Sequence, residues 1–347
     1  MRTGKADHGK LRGRRARRGT VGRILLRSSR VTITALANGV HAMSSQRIRF
    51  GIDLGGTKIE LVALDAAGRE VVRRRVPTPR GDYEATLDAI AALVREAEAA
   101  LGLAPGTASV GVGTPGSLSH VTGLLRGANS VWLNGTPIRR DLERHLARPI
   151  AIANDANCFA LSEATDGGGR GANVVFGVIL GTGVGGGIVA RGRLLDGANG
   201  IAGEWGHNAL PWPAEDERPG PACWCGQHGC IETFLSGPAM ERDHRGATGV
   251  ALAADQIAER ALSGDAACEA TLERYGERLA RSLAHVINLL DPDIIVLGGG
   301  LSNVERLYDN VPRQWSAWVF SDRVDTKLAR PVHGDSSGVR GAALLNG

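Results

Sequence analysis

The sequence predicts an α/β protein built from two similar units with a cleft between them. Three observations carry that prediction. Two glycine-rich loops, one at Gly55-Gly56 and one over residues 181–187, each join two apolar runs of strand length. The element order read from residue 48 (three strands and a helix, then alternating strands and helices) starts again at Val174. Two buried-strand runs, 150–153 and 294–297, end at Asn154-Asp155 and at Gly298-Gly299-Gly300. The carboxyl ends of strands beside a crevice are where α/β folds hold ligands.

Residues 48–54 read as the first strand. Gly55-Gly56 turns the chain into a second strand over 59–64, and Ala67-Gly68 into a third over 71–76, which makes a meander. Residues 86–101 predict an amphipathic helix, with Leu87, Ile90, Ala91, Val94, Ala97 and Leu101 on one face. A short strand over 109–112 runs into Gly113-Thr-Pro-Gly-Ser117. The strand over 150–153 leads into a helix through Cys158, Leu161 and Ala164. In the second unit, 174–180 and 188–191 read as strands on either side of the glycine turn. Residues 272–290 form a long helix that buries Leu272, Tyr275, Leu279, Leu283, Val286, Ile287 and Leu290, and Pro292 stops it.

A chain of 347 residues suggests about two domains. The expected boundaries are a basic extension over 1–46, a small domain over 47–165 completed by a C-terminal helix at about 336–347, and a large domain over 166–335. The extension holds 11 Lys/Arg against one acid, Asp7, so of the total charge of +5 the rest of the chain carries −5. A mildly acidic body gives no reason to expect a nucleic-acid partner. No apolar run approaches the roughly 18 residues of a membrane span. For the extension three readings stand: a solvated tail or an upstream start before Met43, a targeting peptide, and a nucleic-acid arm. Five cysteines, three of them close together, suit a reducing cytoplasm with a metal site.

Four constellations carry chemistry. Asp53-Leu-Gly55-Gly56-Thr57-Lys58 lies between two strands. Its glycines let backbone N–H groups approach phosphate oxygens, Thr57 adds a hydroxyl, Lys58 adds a cation, and Asp53 suits Mg²⁺ or its waters. No helix follows, so it is not a Walker loop; its plain reading is a hairpin turn. Leu180-Gly181-Thr182-Gly183-Val-Gly-Gly-Gly187 offers a second cradle facing the first. At Asn154-Asp155 a carboxylate can accept the proton of an attacking hydroxyl, or the Asp can simply cap the next helix. Finally, Cys223-x-Cys225-Gly-x-x-Gly-Cys230 with the upstream His207 offers one imidazole and three thiols, a closed tetrahedral set for structural zinc. His228 competes as fourth ligand but lies inside the tight turn. Glu204 and Glu232 flank these ligands and suit hydrogen bonds to sugar hydroxyls. Trp132, Trp205 and Trp212 offer either a sugar platform or packing.

Together these motifs resemble the ROK family of bacterial sugar kinases over about residue 47 to the C-terminus. The resemblance implies an actin/hexokinase-like (ribonuclease H-like) fold with an interdomain cleft, ATP and Mg²⁺ as cofactors, structural Zn²⁺, a hexose substrate and a homodimer. It implies Asp155 as general base, and Asp53, Gly55, Gly56, Thr57, Lys58, Gly181, Thr182, Gly183, Gly298, Gly299 and Gly300 around ATP. Asn154, Asp155, Glu204, His207 and Glu232 would lie at the sugar, with Asn129 and the 113–117 loop as further candidates. His207, Cys223, Cys225 and Cys230 would hold zinc. Segments 128–135 and 204–212 look most like the fructokinase/mannokinase group, so fructose going to fructose 6-phosphate is expected, with mannose or glucose secondary. N-acetylglucosamine kinases share residues 180–187 and 225–230 closely but differ after His207, and stand as the alternative. The family also contains sugar-responsive transcriptional regulators, which carry an N-terminal helix-turn-helix; residues 1–46 are short and polar for one.

Overall fold

The apolar alternation that starts at Ile48 becomes a strand in the computed structural model of the protein, which describes residues 48–346. The readings of segment 1–46 lie outside these residues. Strands β1 (Arg49–Leu54), β2 (Lys58–Leu64) and β3 (Glu70–Pro77) form the expected meander. Helix α1 (Tyr83–Ala100) follows, capped by the Asp82 carboxylate accepting from the Ala85 N–H. Strand β4 (Ser109–Thr114), a small hairpin of β5 (Ser117–Leu118) and β6 (Leu125–Arg126), helix α2 (Ile138–Leu146) and strand β7 (Ile150–Asn154) complete the first half. Strands β4 and β7 join β1 in parallel, giving the order β3-β2-β1-β4-β7.

Helix α3 (Asp155–Asp166) leads to β8 (Val174–Leu180), β9 (Val184–Ala190) and β10 (Arg193–Leu194). A helical stretch of α4 (Glu232–Leu235), α5 (Gly237–Thr248), α6 (Ala254–Leu262) and α7 (Ala266–Leu290) precedes β11 (Ile294–Gly298). Helix α8 (Leu307–Trp315), β12 (Lys327–Ala329) and α9 (Ser337–Leu344) end the chain. The second sheet runs β10-β9-β8-β11-β12, with β8, β11 and β12 parallel. It repeats the first sheet: a meander edge followed by two parallel strands.

Helix α7 begins six residues earlier than its apolar face predicts, because Asp265 accepts from the N–H groups of Ala267 and Cys268. Its buried face, including Leu272, Leu279 and Leu283, forms the larger core with Phe176, Val178 and Ile295. The first sheet has its own core, where Phe50, Ile52 and Val110 meet Leu87, Ile90 and Val94 of α1.

Two helices change partners. Helix α3 follows the first sheet but packs on β8 and β9, whereas α9 follows the second sheet but packs on β1, β2 and β4, and the two cross. Their approach is backbone on backbone. A Cβ on Gly341 would lie 1.7 Å from the Cys158 carbonyl oxygen, and one on Gly51 2.0 Å from that of Val339. This also corrects the expected turn over 181–187. Residues 185–187 belong to β9, and a Cβ on Gly187 would stand 2.7 Å from the Ala156 carbonyl oxygen. These glycines bring α3 close to the sheet; the turn itself is Gly181–Gly183. At the far end of α3, the buried Glu163 carboxylate accepts from the N–H groups of Gly168 and Val332 and the Ser337 hydroxyl, joining α3 to the start of α9.

Overpacking at such a contact is expected to be severe. Gly341→Ala should cost about 3 kcal/mol or more, read as a lower urea midpoint at unchanged m-value. An unchanged midpoint would mean that the crossing has slack.

Candidate active site

The parallel registers place the candidate residues. Asp53 pairs with Gly113 and Gly113 with Ala153, so Asp53 and the Asn154-Asp155 pair stand together at the carboxyl edge of the first sheet. The helix cap that competed with the catalytic reading falls on Asn154: its Oδ1 accepts from the Asn157 N–H at 2.8 Å. Asp155 is the first residue of α3, and its Oδ1 accepts only from the neighbouring Ala156 N–H, at 2.7 Å.

Asp155 keeps an exposed face, with protein crowded around the rest of it. Desolvation raises its pKa, and the charge of Glu204 adds to the rise. In Asp53, burial and then the charges of Asp155 and Glu60 push the pKa up to about 6, against the pull of Lys58 and Arg75. The buried Cys158 thiol lies behind both carboxylates; burial, then Asp53 and Asp155, push it well up. Asp53, Asp155 and Glu204 thus form one group of interacting carboxylates.

The first glycine loop is a hairpin closed by the Gly55 N–H donating to the Lys58 carbonyl at 3.0 Å. It is braced by residues with no motif to mark them: the Thr78 hydroxyl donates to Gly55 O at 2.7 Å, and Arg80 Nε to Gly56 O at 3.0 Å. Thr57 is exposed. Lys58 lies 3.4 Å from the buried Glu60, which also binds Arg73 and Arg75. The second turn and the triple glycine lie side by side: a Cβ on Gly299 would be 2.4 Å from Leu180 O. Thr182 is exposed, as are Gly299 and Gly300, while Gly298 is buried.

His207, Cys223, Cys225 and Cys230 converge, their ligand atoms all within 4.8 Å of one another. Cys225 and Cys230 sulfurs are 3.7 Å apart, and Cys223 Sγ is 3.6 Å from His207 Nδ1. Tetrahedral zinc with bonds of about 2.3 Å to sulfur and 2.0–2.1 Å to nitrogen needs edges of roughly 3.8 and 3.6 Å. The set is therefore compatible with structural zinc. His228 is exposed outside the cluster. Glu232 accepts from the Val184 N–H at 3.0 Å and the Trp224 indole N–H at 2.8 Å. Trp224 was not anticipated; its place between two cysteines was the one available signal.

The other tryptophans pack. Trp205 is buried edge-on to Phe176 and donates to Gly185 O at 2.9 Å. Trp212 stacks on Trp318 at 5.3 Å and meets His285 of α7. Trp132 is half-buried against the first core. Asn129 is exposed beside the buried Ser130. A hollow of about 990 Å³ lined by Gly168, Asn173, Asp293 and Lys327 contains none of the candidate residues.

The model of the ROK family matches residues 49–346. The chain belongs to the ROK family. An N-acetyl-D-glucosamine kinase of Pectobacterium atrosepticum is 43% identical over 301 residues, 86% of this chain and 98% of that one. Among solved structures, the ROK hexokinase of Thermus thermophilus superposes with a TM-score of 0.76 at 32% identity, covering 86% of this chain and 97% of that one. A ROK family glucokinase from Streptomyces griseus, in complex with glucose and AMPPNP, has a TM-score of 0.70 at 29% identity, covering 86% and 98%. The fold is the expected hexokinase-like one. Among the described residues, no helix is long and apolar enough to cross a membrane.

The raised pKa of Asp53 has a consequence for stability. The folded state holds this proton more tightly than the unfolded chain, so stability falls as pH rises from about 4 through 6. Asp53→Asn removes the cost of the buried charge. It should gain up to about 3 kcal/mol at neutral pH, and the gain should vanish near pH 4, read from urea midpoints across that range. A gain that does not vary with pH would contradict the shift.

Proposed function

We propose that this protein transfers the γ-phosphoryl group of ATP to a hydroxyl of N-acetyl-D-glucosamine. The observation that carries the reading is the placement of Asp155 at a strand's carboxyl edge beside Asp53, where desolvation and then the charge of Glu204 raise its pKa. A carboxylate of raised pKa is a stronger base for a hydroxyl proton. Asp155 takes that proton as the hydroxyl oxygen bonds to the γ-phosphorus and the bond to the ADP oxygen breaks.

The remaining roles follow from position. Two lobes, one around each sheet, would close over the substrates and exclude water, the competing acceptor. The backbone N–H groups of Gly56, Thr57, Thr182 and Gly183 would face the phosphates, those of Gly55 and Gly181 being used to close their turns, and Gly298-Gly299-Gly300 would line the adenosine side. Asp53 would hold Mg²⁺ or its waters, and the ion would offset phosphate charge as it develops. Asn154 keeps its amide donors for the sugar, because its oxygen is spent on the helix cap. Glu204, His207, Glu232 and Asn129 complete the proposed sugar side. A reducing cytoplasm would keep the clustered thiols metal-ready.

The expected fructose preference gives way to the alternative. Relatives at 40–43% identity are named N-acetyl-D-glucosamine kinases. The segment after His207 had pointed toward fructose, but its Trp212 packs on Trp318 and His285. Those ring contacts give the residue a packing role, which weakens it as a guide to the sugar.

A coupled ATP-consumption assay over N-acetylglucosamine, glucose, mannose and fructose should favour the first by at least about tenfold in kcat/KM, or roughly 1.4 kcal/mol. A higher kcat/KM for fructose would restore the earlier reading. Asp155→Asn should lower kcat by at least about 10²-fold while the protein stays folded; near-normal turnover would remove Asp155 from its role.

We also propose that His207, Cys223, Cys225 and Cys230 hold structural zinc. Protein purified without chelator should contain about one zinc per chain, and Cys230→Ser should lose it together with thermal stability. Metal-free protein with an unchanged melting temperature would refute the site.

A further inference from the structure

The second glycine turn is tied at both ends to the segment after the cysteine loop. The Gly237 N–H donates to Gly181 O at 2.8 Å. The Val184 N–H donates to Glu232 Oε2 at 3.0 Å. Between these ties, the Gly181 N–H closes the turn onto Gly183 O at 3.0 Å. Gly183 leaves room for the carboxylate, since a Cβ there would lie 2.7 Å from Glu232 Oε2.

The other oxygen of Glu232 accepts from the Trp224 indole N–H at 2.8 Å. Trp224 is 70% exposed, so burial does little to hold it. Its ring stands edge-on to His207, with centroids 4.9 Å apart at 88°. One side of the indole therefore rests on a residue of the Cys/His cluster, and its N–H holds a carboxylate that grips the turn. A carboxylate held at both oxygens is biased against rotating off the Val184 N–H.

We infer that Trp224 is a positioning residue for the nucleotide: acting through Glu232, it holds the Gly181–Gly183 turn in the shape that receives phosphate. This rests on the kinase reading, in which that turn faces ATP. It differs from a role of Glu232 toward sugar alone, because it predicts an effect when no sugar is present.

The test is calorimetric binding of Mg²⁺ and a non-hydrolysable ATP analogue without sugar, on the full-length protein as purified. Trp224→Phe keeps the ring on His207 and removes the N–H. It should weaken nucleotide binding about tenfold, the effect of losing a hydrogen bond to a charged group, at wild-type metal content. Glu232→Gln should weaken it similarly, and the double variant should lose less than the two single losses combined, since both act through one contact. Unchanged nucleotide affinity in Trp224→Phe, or fully additive losses, would overturn the inference. If Trp224→Phe loses metal, Glu232→Gln decides: it keeps all four cluster residues and the indole, and unchanged nucleotide affinity there overturns the inference. Wild-type protein that binds no nucleotide would instead overturn the kinase reading.

Discussion

Contact between helix backbone and strand backbone is the constraint on which the rest of this structure depends. It is possible only where one of the two backbones carries no side chain at the point of contact. Gly51 and Gly111 under α9, Gly187 under α3, and Gly341 at the crossing of the two helices meet that condition. With α3 pressed so closely onto β9, its first residue cannot drift. Asp155 is that residue, and it is also continuous with β7 of the other sheet. Its location is therefore fixed from both sheets at once, which is what a base needs if it must meet a hydroxyl within hydrogen-bond distance.

The electrostatics of the site complement this rigidity. Asp53, Asp155 and Glu204 act on one another where desolvation is strong, and the nearest lysine is drawn toward Glu60. Such a group of like charges is uncomfortable by itself and becomes favourable when cations or protons arrive. A carboxylate site of this kind suits Mg²⁺-bound phosphates and exchangeable hydroxyl protons. Lys58, which the motif presents as a cation for phosphate, also stands beside Glu60 together with Arg73 and Arg75.

Much of this was legible in the sequence, and the unread parts share a cause. Strand ends at Asn154 and Gly298, the repeated meander, the α7 face and the four converging ligands all follow from local spacing, which periodicity and motif reading detect. What stayed hidden depends on partners distant in sequence. Residues 185–187 look like more of a flexible loop until α3 lies on them. Whether Asn154 or Asp155 caps α3 depends on the residue at which the helix starts, and it starts at Asp155. Thr78, Arg80 and Trp224 hold the loops without any motif of their own. For Trp212, sequence alone could not show the ring contacts with Trp318 and with His285 of α7, which come from elements far along the chain.

The exchange of helices between the sheets also bears on how the chain reaches this state. The strands of the first sheet are made before those of the second, yet the helix that covers one of its faces is α9, which is made only after every strand of the second sheet. Until then Val62 and Leu64 lack their partners Val339 and Ala343. The first half is thus left with a bare apolar surface until α9 is made, and closing it requires contacts between segments far apart in sequence. A nascent chain in that condition is a natural client for a chaperone, and truncation of even the final turns of α9 would leave it in that state permanently.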